Sequence, residues 1–425
     1  MRNPRHIIDG RLVVTDYREN HYVPQWYQKR FLLDGQHELF YRDLTPATFR
    51  DSKHRLHTDR EVRRRGPSAC FVERDLYTRY LGKAPSTEIE RIFMGRVDMA
   101  GKAAVEAFSA FSIANALSAQ EDLLTFMGVQ KFRTPKGLNW IKQQARSEDR
   151  DEILHRMIDN RRMYFAIWSE CVWLIADASQ SATKFIVSDH PVTVYNRRCG
   201  PSSSWCRGDN DPDLVLAATQ TIFPLSLEKV LLLTNLTWVR NPYQDPVGHR
   251  PNPKLTRIGV FKAMEVQTER HLSEREVLEV NFIIRSRSRR YIAAAAEEWL
   301  YPERRISKSD WPRFGAGYLL MPDPRGIDMG GTLYMVDDRG RTFTADEYGR
   351  LPWEGGFESE EGKARESVAL YRFKGEFARL HGQFRRGRAT RGPDLEPDRE
   401  SDDLHKYHLG LEEENRKRMK GQPRW

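Results

Sequence analysis

Apolar positions along this chain follow a helical period over most of residues 87–167 and an extended one after about residue 170. Ahead of the helical stretch, residues 1–20 read as an irregular lead-in. Pro24 then stands where a first helical turn tolerates proline, and Trp26, Tyr27, Arg30 and Phe31 follow at helical spacing as an aromatic face that should bury. Leu39-Phe40-Tyr41 reads as a strand closed by the turn Asp43-Leu44-Thr45-Pro46. Thr87-Glu88-Ile89-Glu90 has capping-box spacing and opens a helix to about Leu117. Ser118-Ala119-Gln120-Glu121 opens a second, Thr134-Pro135 a third, and Glu152 to about Ile167 forms a fourth.

The period then becomes extended. Cys171–Ala176 and Lys184–Ser188, joined by Ser179-Gln180-Ser181, predict a hairpin, and strands follow over 214–223 and 230–233. Helical spacing returns over 273–298, carrying Val280, Phe282, Ile283, Tyr291 and Ile292. Gly331–Val336 and Arg341–Thr344 around Asp337-Asp338-Arg339-Gly340 predict a second hairpin, and Glu360–Phe384 a charged helix. From Arg385 large apolar residues are sparse and charges of both signs dense, the composition of a disordered tail. Helices, then strands, then a helix make an α+β fold with a mostly antiparallel sheet. The expected organisation is a core at 1–299, an accessory hairpin and helix at 300–384, and the tail at 385–425; the sequence holds no internal repeat.

Composition narrows the function classes. At 425 residues the chain exceeds one ordinary domain, and 20 Phe, 16 Tyr and 10 Trp can build a substantial core despite only 39% hydrophobic residues. It holds no run of 18 apolar residues, and Met1–His6 lacks the apolar centre of a signal peptide, so a cytoplasmic protein without a membrane role is expected. Cys70, Cys171, Cys199 and Cys206 are too few and scattered for a disulfide framework. Cys199 and Cys206 with His190 match no common zinc spacing and lack a fourth ligand, so no metal site is assigned and the thiols are read as free. The net charge of +9, from 69 basic and 60 acidic residues, permits a polyanionic partner without requiring one. Two segments are locally basic: Arg50–Arg65, with seven Lys/Arg against three Asp/Glu, and Arg285–Arg290.

Two polar motifs carry candidate chemistry. His21-Tyr22-Val23-Pro24-Gln25 places an imidazole just before a helix start, where the unpaired N–H groups and the positive dipole end favour a neutral ring. The same position also suits a structural cap. Ser188-Asp189-His190-Pro191 ends an apolar strand, a rigid place for a catalytic group and equally a stiffened turn, and adjacent strand residues point to opposite faces. Asn281 interrupts an apolar helical stripe, with Arg285 and Arg289 one and two turns further along as a candidate anion clamp. Phe223-Pro224-Leu225-Ser226 reads as a turn between strands, since Ser226 lacks a G-x-S-x-G context. Walker A, dinucleotide, H-E-x-x-H and paired C-x-x-C signatures are absent from the sequence.

Taken in order, His21–Tyr27 with Arg30-Phe31, Phe185–Val192, Phe223–Ser226, and Val280-Asn281 ahead of Arg290-Tyr291-Ile292 resemble the domain-of-unknown-function 4238 family over about residues 19–296. The resemblance implies a compact helical and β domain and carries no activity or cofactor. In that family the strand-end dipeptide is usually Asp-Asn; here it is Asp189-His190, which shifts weight to His21 and Asp189.

Two functions follow as expectations. One is hydrolysis of a phosphodiester or nucleic acid, with His21 as acid or base, Asp189 orienting it, and Gln25, Asn281, Arg285 and Arg289 holding substrate. The other is a non-catalytic module that binds nucleic acid through residues 50–65, or a protein through 300–425, with the same polar residues pinning helix to sheet.

Overall fold

The computed structural model describes residues 19–235 and 261–308 except positions 75, 78, 82–83, 87–92 and 217, with shorter pieces at 5–8, 11–14, 239, 311, 314, 321–327, 333–336, 340–345, 361, 368, 371–375, 377–379 and 388–389. The architecture is α+β, with helices packed against mostly antiparallel sheets.

Where an irregular lead-in is expected, β1 (Arg5–Ile8) and β2 (Arg11–Val14) pair antiparallel. β3 (Glu19–His21) pairs with β8 (Val72–Arg74). The helix opened by Pro24 is short: α1 (Gln25–Gln28) tightens into a 3-10 turn over Lys29–Phe31. β4 (Leu39–Asp43) and β7 (Val62–Arg65) flank a projecting ribbon of β5 (Thr48–Arg50) and β6 (Leu56–Thr58), and β9 (Arg79–Leu81) pairs with β10 (Ala84–Ser86).

The helical layer holds α2 (Gly95–Ser109), α3 (Ile113–Phe132), α4 (Pro135–Ala145) and α5 (Arg150–Ser169). α3 packs on α2, α4 and α5. The expected start at Thr87 lies outside the described residues. The expected boundary at Ser118 is displaced: Ala110 leaves helical backbone space, Ser112 caps α3 by accepting the Asn115 amide at 3.2 Å, and Ser118 only returns a bond to the Asn115 carbonyl. The Thr134-Pro135 start stands, with Thr134 as N-cap.

β11 (Val172–Asp177), buried along its length, pairs with β15 (Lys229–Thr234) and parallel to β16 (Gln267–His271) in the six-stranded order β13-β14-β15-β11-β16-β20, with β13 at Thr193–Asn196, β14 at Thr219–Pro224 and β20 at Arg388–Ala389. The hairpin expected between 171–176 and 184–188 does not form. β12 (Val187–Ser188) instead joins a second sheet, β12-β17-β4-β7, by pairing with β17 (Tyr291–Ala294). Apolar content marks both runs as extended, but partner choice is a long-range matter that local pattern does not encode.

α6 (Glu274–Arg287) starts on the Ser273 capping box and ends well before the expected 298, because the chain turns into β17. β18 (Leu333–Val336) and β19 (Thr342–Ala345) form the expected second hairpin. Residues 371–375 and 377–379 are helical within the expected charged helix, and Phe373 and Phe377 bury with Val172 and Ala218. The tail expected to be disordered lies outside the described residues apart from Arg388–Ala389, which pair with Gln267–Thr268.

The two layers are sewn together by the aromatic motif around α1. Tyr27 stacks on Phe223 at 5.5 Å and donates its hydroxyl to the Pro224 carbonyl, while Arg30 Nε donates to the Leu225 carbonyl at 2.5 Å. Trp168 at the end of α5 donates to Thr221 of β14 at 2.9 Å. The closest helix approach lies at the start of α4, where a Cβ on Gly137 would stand 2.3 Å from the Lys131 carbonyl oxygen and 2.7 Å from Phe132 Cα.

Alanine normally stabilises a helix by about 1 kcal/mol over glycine, but here the clash is with backbone that cannot rotate away. Gly137→Ala is expected to destabilise by about 1–3 kcal/mol in urea denaturation. An unchanged or raised midpoint would show that α4 can shift.

Candidate functional site

Asp189 follows β12 with its carboxylate turned toward the junction of α6 and β17. It accepts three consecutive backbone amides, from Arg289 at 2.9 Å, Arg290 at 2.6 Å and Tyr291 at 2.9 Å. Burial raises its pKa, and those amides oppose the rise by favouring the carboxylate. His21 lies at the end of β3, its Nε2 3.0 Å from the Ser68 carbonyl oxygen and 3.2 Å from the Gln25 side-chain nitrogen. The hydrogen bonds of His21 and Asp189 thus go to separate partners and do not join the two residues. His21 and Gln25 do meet.

Asn281, buried on α6, donates to the Lys184 carbonyl at 2.8 Å and accepts the Ile186 amide at 3.2 Å, tying the helix to the segment that leads into β12. Arg285 pairs with Glu303 at 2.9 Å, while Arg289 lies 3.8 Å from Asp209. The two arginines therefore serve different carboxylates and form no common clamp. Ser226 accepts the Glu228 and Lys229 amides as a turn residue. Cys199 and Cys206 are buried, and the Cys206 thiol lies 3.2 Å from the Cys199 carbonyl oxygen.

Asp189 and His190 form the bend that follows β12, and their side chains part there to different partners. His190 is buried, with Nδ1 2.8 Å from Thr134 Oγ1 and Nε2 3.1 Å from Lys131 Nζ. Nε2 also lies 3.3 Å from an Asp211 carboxylate oxygen, so the ring meets a donor in Lys131, an acceptor in Asp211 and a hydroxyl in Thr134 that can serve as either. Thr134 in turn accepts the Gly137 amide at 3.1 Å and faces the Lys131 carbonyl.

Lys131, Gly137 and His190 line a cavity of about 300 Å³ between α3, α4, α5 and the loop that carries Asp211. Asp211 is its electrostatic centre. It bonds Lys131 through one carboxylate oxygen, and Lys136 at 2.8 Å and Arg287 through the other. Arg287 also holds the Asn210 carbonyl at 2.5 Å, and Lys136 the Arg287 carbonyl at 2.8 Å. Lys131, Lys136 and Arg287 side chains are each at most 5% exposed. Three buried cations thus face one carboxylate. Asp209 and Asp213 also line the cavity, the latter solvent-exposed.

Burial alone would raise the Asp211 carboxyl, but the three cations outweigh it and hold it well below the usual carboxylate range. Burial, reinforced by Arg287 and Lys131 against the pull of Asp211, lowers Lys136 to about 8. Burial and the neighbouring Lys131 ammonium push His190 down to about 3, so its ring is neutral at physiological pH.

Residues 19–167 match the family described as a protein of unknown function, DUF4238. That is the family expected from the motifs, matched over the first part of the expected span. No curated protein and no solved structure matches the chain. No helix among the described residues is long and apolar enough to cross a membrane. Within the DUF4238 span lie His21, Gln25, Lys131, Thr134 and Lys136; His190, Asp211 and Arg287 lie beyond it.

Sequence reasoning passed over Lys131, Lys136, Asp211 and Arg287. A signal was available for the first two, since they bracket the Thr134-Pro135 helix start and Lys131 falls in the apolar run Phe126–Phe132, where a charge must bury. Asp211 gave none, because it stands in the loop Asp209-Asn210-Asp211-Pro212-Asp213 among other acids.

The His190 shift fixes a pH dependence. Between pH about 3 and 6.5 the unfolded His190 binds a proton that the folded one does not, so stability rises with pH through that window. The share of His190 is about 1.4 kcal/mol per pH unit, and His190→Gln should flatten the slope by that amount in urea titrations from pH 4 to 6.5. An unaltered slope would place the His190 proton in the folded state.

Proposed function

We propose that the cavity binds a small anionic molecule, a phosphate or carboxylate, on the Lys136 ammonium; the neighbouring Lys131 already places its three N–H bonds on Asp211, His190 and the Val192 carbonyl. The carrying observation is that three buried cations converge on Asp211, and that two of them, Lys131 and Lys136, stand on the cavity lining with Asp209 and Asp213. A buried charge without a counter-charge is costly, and an anion in the cavity offsets that cost. Lys136 uses two of its three N–H bonds, on Asp211 and the Arg287 carbonyl, and the third is available to a ligand. The hydrolytic role first expected of His21 and Asp189 is not carried into this reading, because the Asp189 carboxylate is engaged by three amides.

The bland alternative is a clasp in which the same ions only fix the 209–213 loop to the helices. Thermal denaturation with orthophosphate, sulfate or acetate at constant ionic strength separates the two. At a hundred times Kd a ligand adds about 2.7 kcal/mol, a Tm rise of about 3 °C for a chain of this length. The rise should vanish in Lys136→Gln. No anion-specific rise in the native protein would leave the clasp.

A second reading rests on the β5–β6 ribbon, where the exposed Phe49 stacks on His57 at 5.6 Å. Asp51 pairs with Arg55 and Asp59 with Arg63, while Arg50, Lys53 and Arg60 have no carboxylate partner among the described residues. Such a surface suits a nucleic-acid backbone. Binding of single-stranded DNA should weaken steeply with salt, and replacing Arg50, Lys53 and Arg60 by Ala should reduce the log–log slope by about 2. An unchanged slope would remove the ribbon from consideration.

A further inference from the structure

The cavity is chemically two-ended. At its floor are the ammonium groups of Lys131 and Lys136. Its wall is aromatic: Phe132 lies 5.7 Å from Trp140 and 5.0 Å edge-on from Tyr164, so three rings of α3, α4 and α5 form one continuous face. Trp205 contributes from the loop side, on the short 3-10 turn Ser204–Cys206. Its side chain is 38% exposed, and its ring has no aromatic or cationic partner among the described residues. The loop also brings Asp209 and Asp213, acceptors for N–H groups of a ligand.

We infer that this cavity takes a nucleoside monophosphate, its phosphate on Lys136 and its base against the Trp205 indole, with Asp209 or Asp213 accepting N–H bonds from the base. The inference rests on the anion-binding reading above and adds the planar group.

Three considerations select this class. A bare inorganic anion would satisfy Lys136 yet leave the aromatic wall and the Trp205 face uncovered. An aliphatic sugar phosphate would do the same, whereas a base offers a π-face to stack on an exposed indole, a sequence-tolerant contact. Its N–H donors also match the Asp209 and Asp213 carboxylates. The cavity volume of about 300 Å³ stands at the low end for small-molecule sites, which suits one nucleotide unit rather than a dinucleotide.

The test is isothermal titration calorimetry on the full chain with AMP, GMP, CMP and UMP. Ribose 5-phosphate serves as the phosphate lacking a base, adenosine as the base lacking a phosphate, and phosphocholine as a phosphate with a cationic, non-planar end. At least one nucleotide should bind about tenfold or more tightly than all three controls, in proportion to the worth of one stacked base. Trp205→Ala should remove most of that advantage while leaving ribose 5-phosphate affinity unchanged. Because Trp205 is exposed, the variant should keep the native Tm, and matching melting curves verify that it folds.

If no nucleotide binds more tightly than ribose 5-phosphate, or if phosphocholine binds as well as the nucleotides, the nucleotide assignment is overturned and the anion site stands. If none of the phosphates binds, both fall. Binding of adenosine as tight as AMP would retain the stacking face and overturn the role given to Lys136.

Discussion

The Asp189 carboxylate, receiving three successive amides from Arg289, Arg290 and Tyr291, is the contact on which the rest of this molecule turns. It ends α6, sets the entry of β17, and fixes β12 against it, so one short side chain decides how the second sheet closes. Removing a carboxylate that accepts three part-buried backbone amides would leave all three without that partner. It also pins the backbone at the next residue. His190 is thereby held in the bend after β12, facing Lys131 and Thr134.

The charged cluster behind His190 answers a different demand. Burying ions costs more than most pairings return, and replacing such groups by apolar ones of similar volume is often neutral for stability. A chain that buries three cations on one carboxylate, and places two of them on a cavity wall, has arranged charge for something other than stability alone. The helix start at Thr134-Pro135 makes the arrangement possible. Gly137 lets α4 approach the end of α3 closely, which brings Lys131 and Lys136 to the same carboxylate.

Much of the framework is legible in the order of residues. The α+β order, the Thr134 cap, the Ser273 capping box, the turn at Ser226 and the second hairpin all rest on local signals: hydroxyls at helix starts, period-two apolar runs, turn residues between them. Errors cluster where a distant group overrides local preference. Helical spacing runs on past Arg287, but the Asp189 carboxylate captures the following amides and turns the chain. Two neighbouring apolar runs look like a hairpin, yet β11 and β12 enter different sheets.

The candidate site shows the same division. Residue types and their positions within elements were set by sequence alone: a histidine beside an aspartate at a strand end, lysines around a helix start, aromatics on one helical face. Which residue of that pair faces the cavity was not. His190, passed over in favour of its neighbour Asp189, is the residue of that pair that lines the cavity. Charge balance around Asp211 joins residues 131, 136, 190 and 287, and only tertiary packing brings them within hydrogen-bond range. Local periodicity and capping act over a few residues and can be read in order. Electrostatic pairing in a buried site acts through space, and so it is decided by the fold.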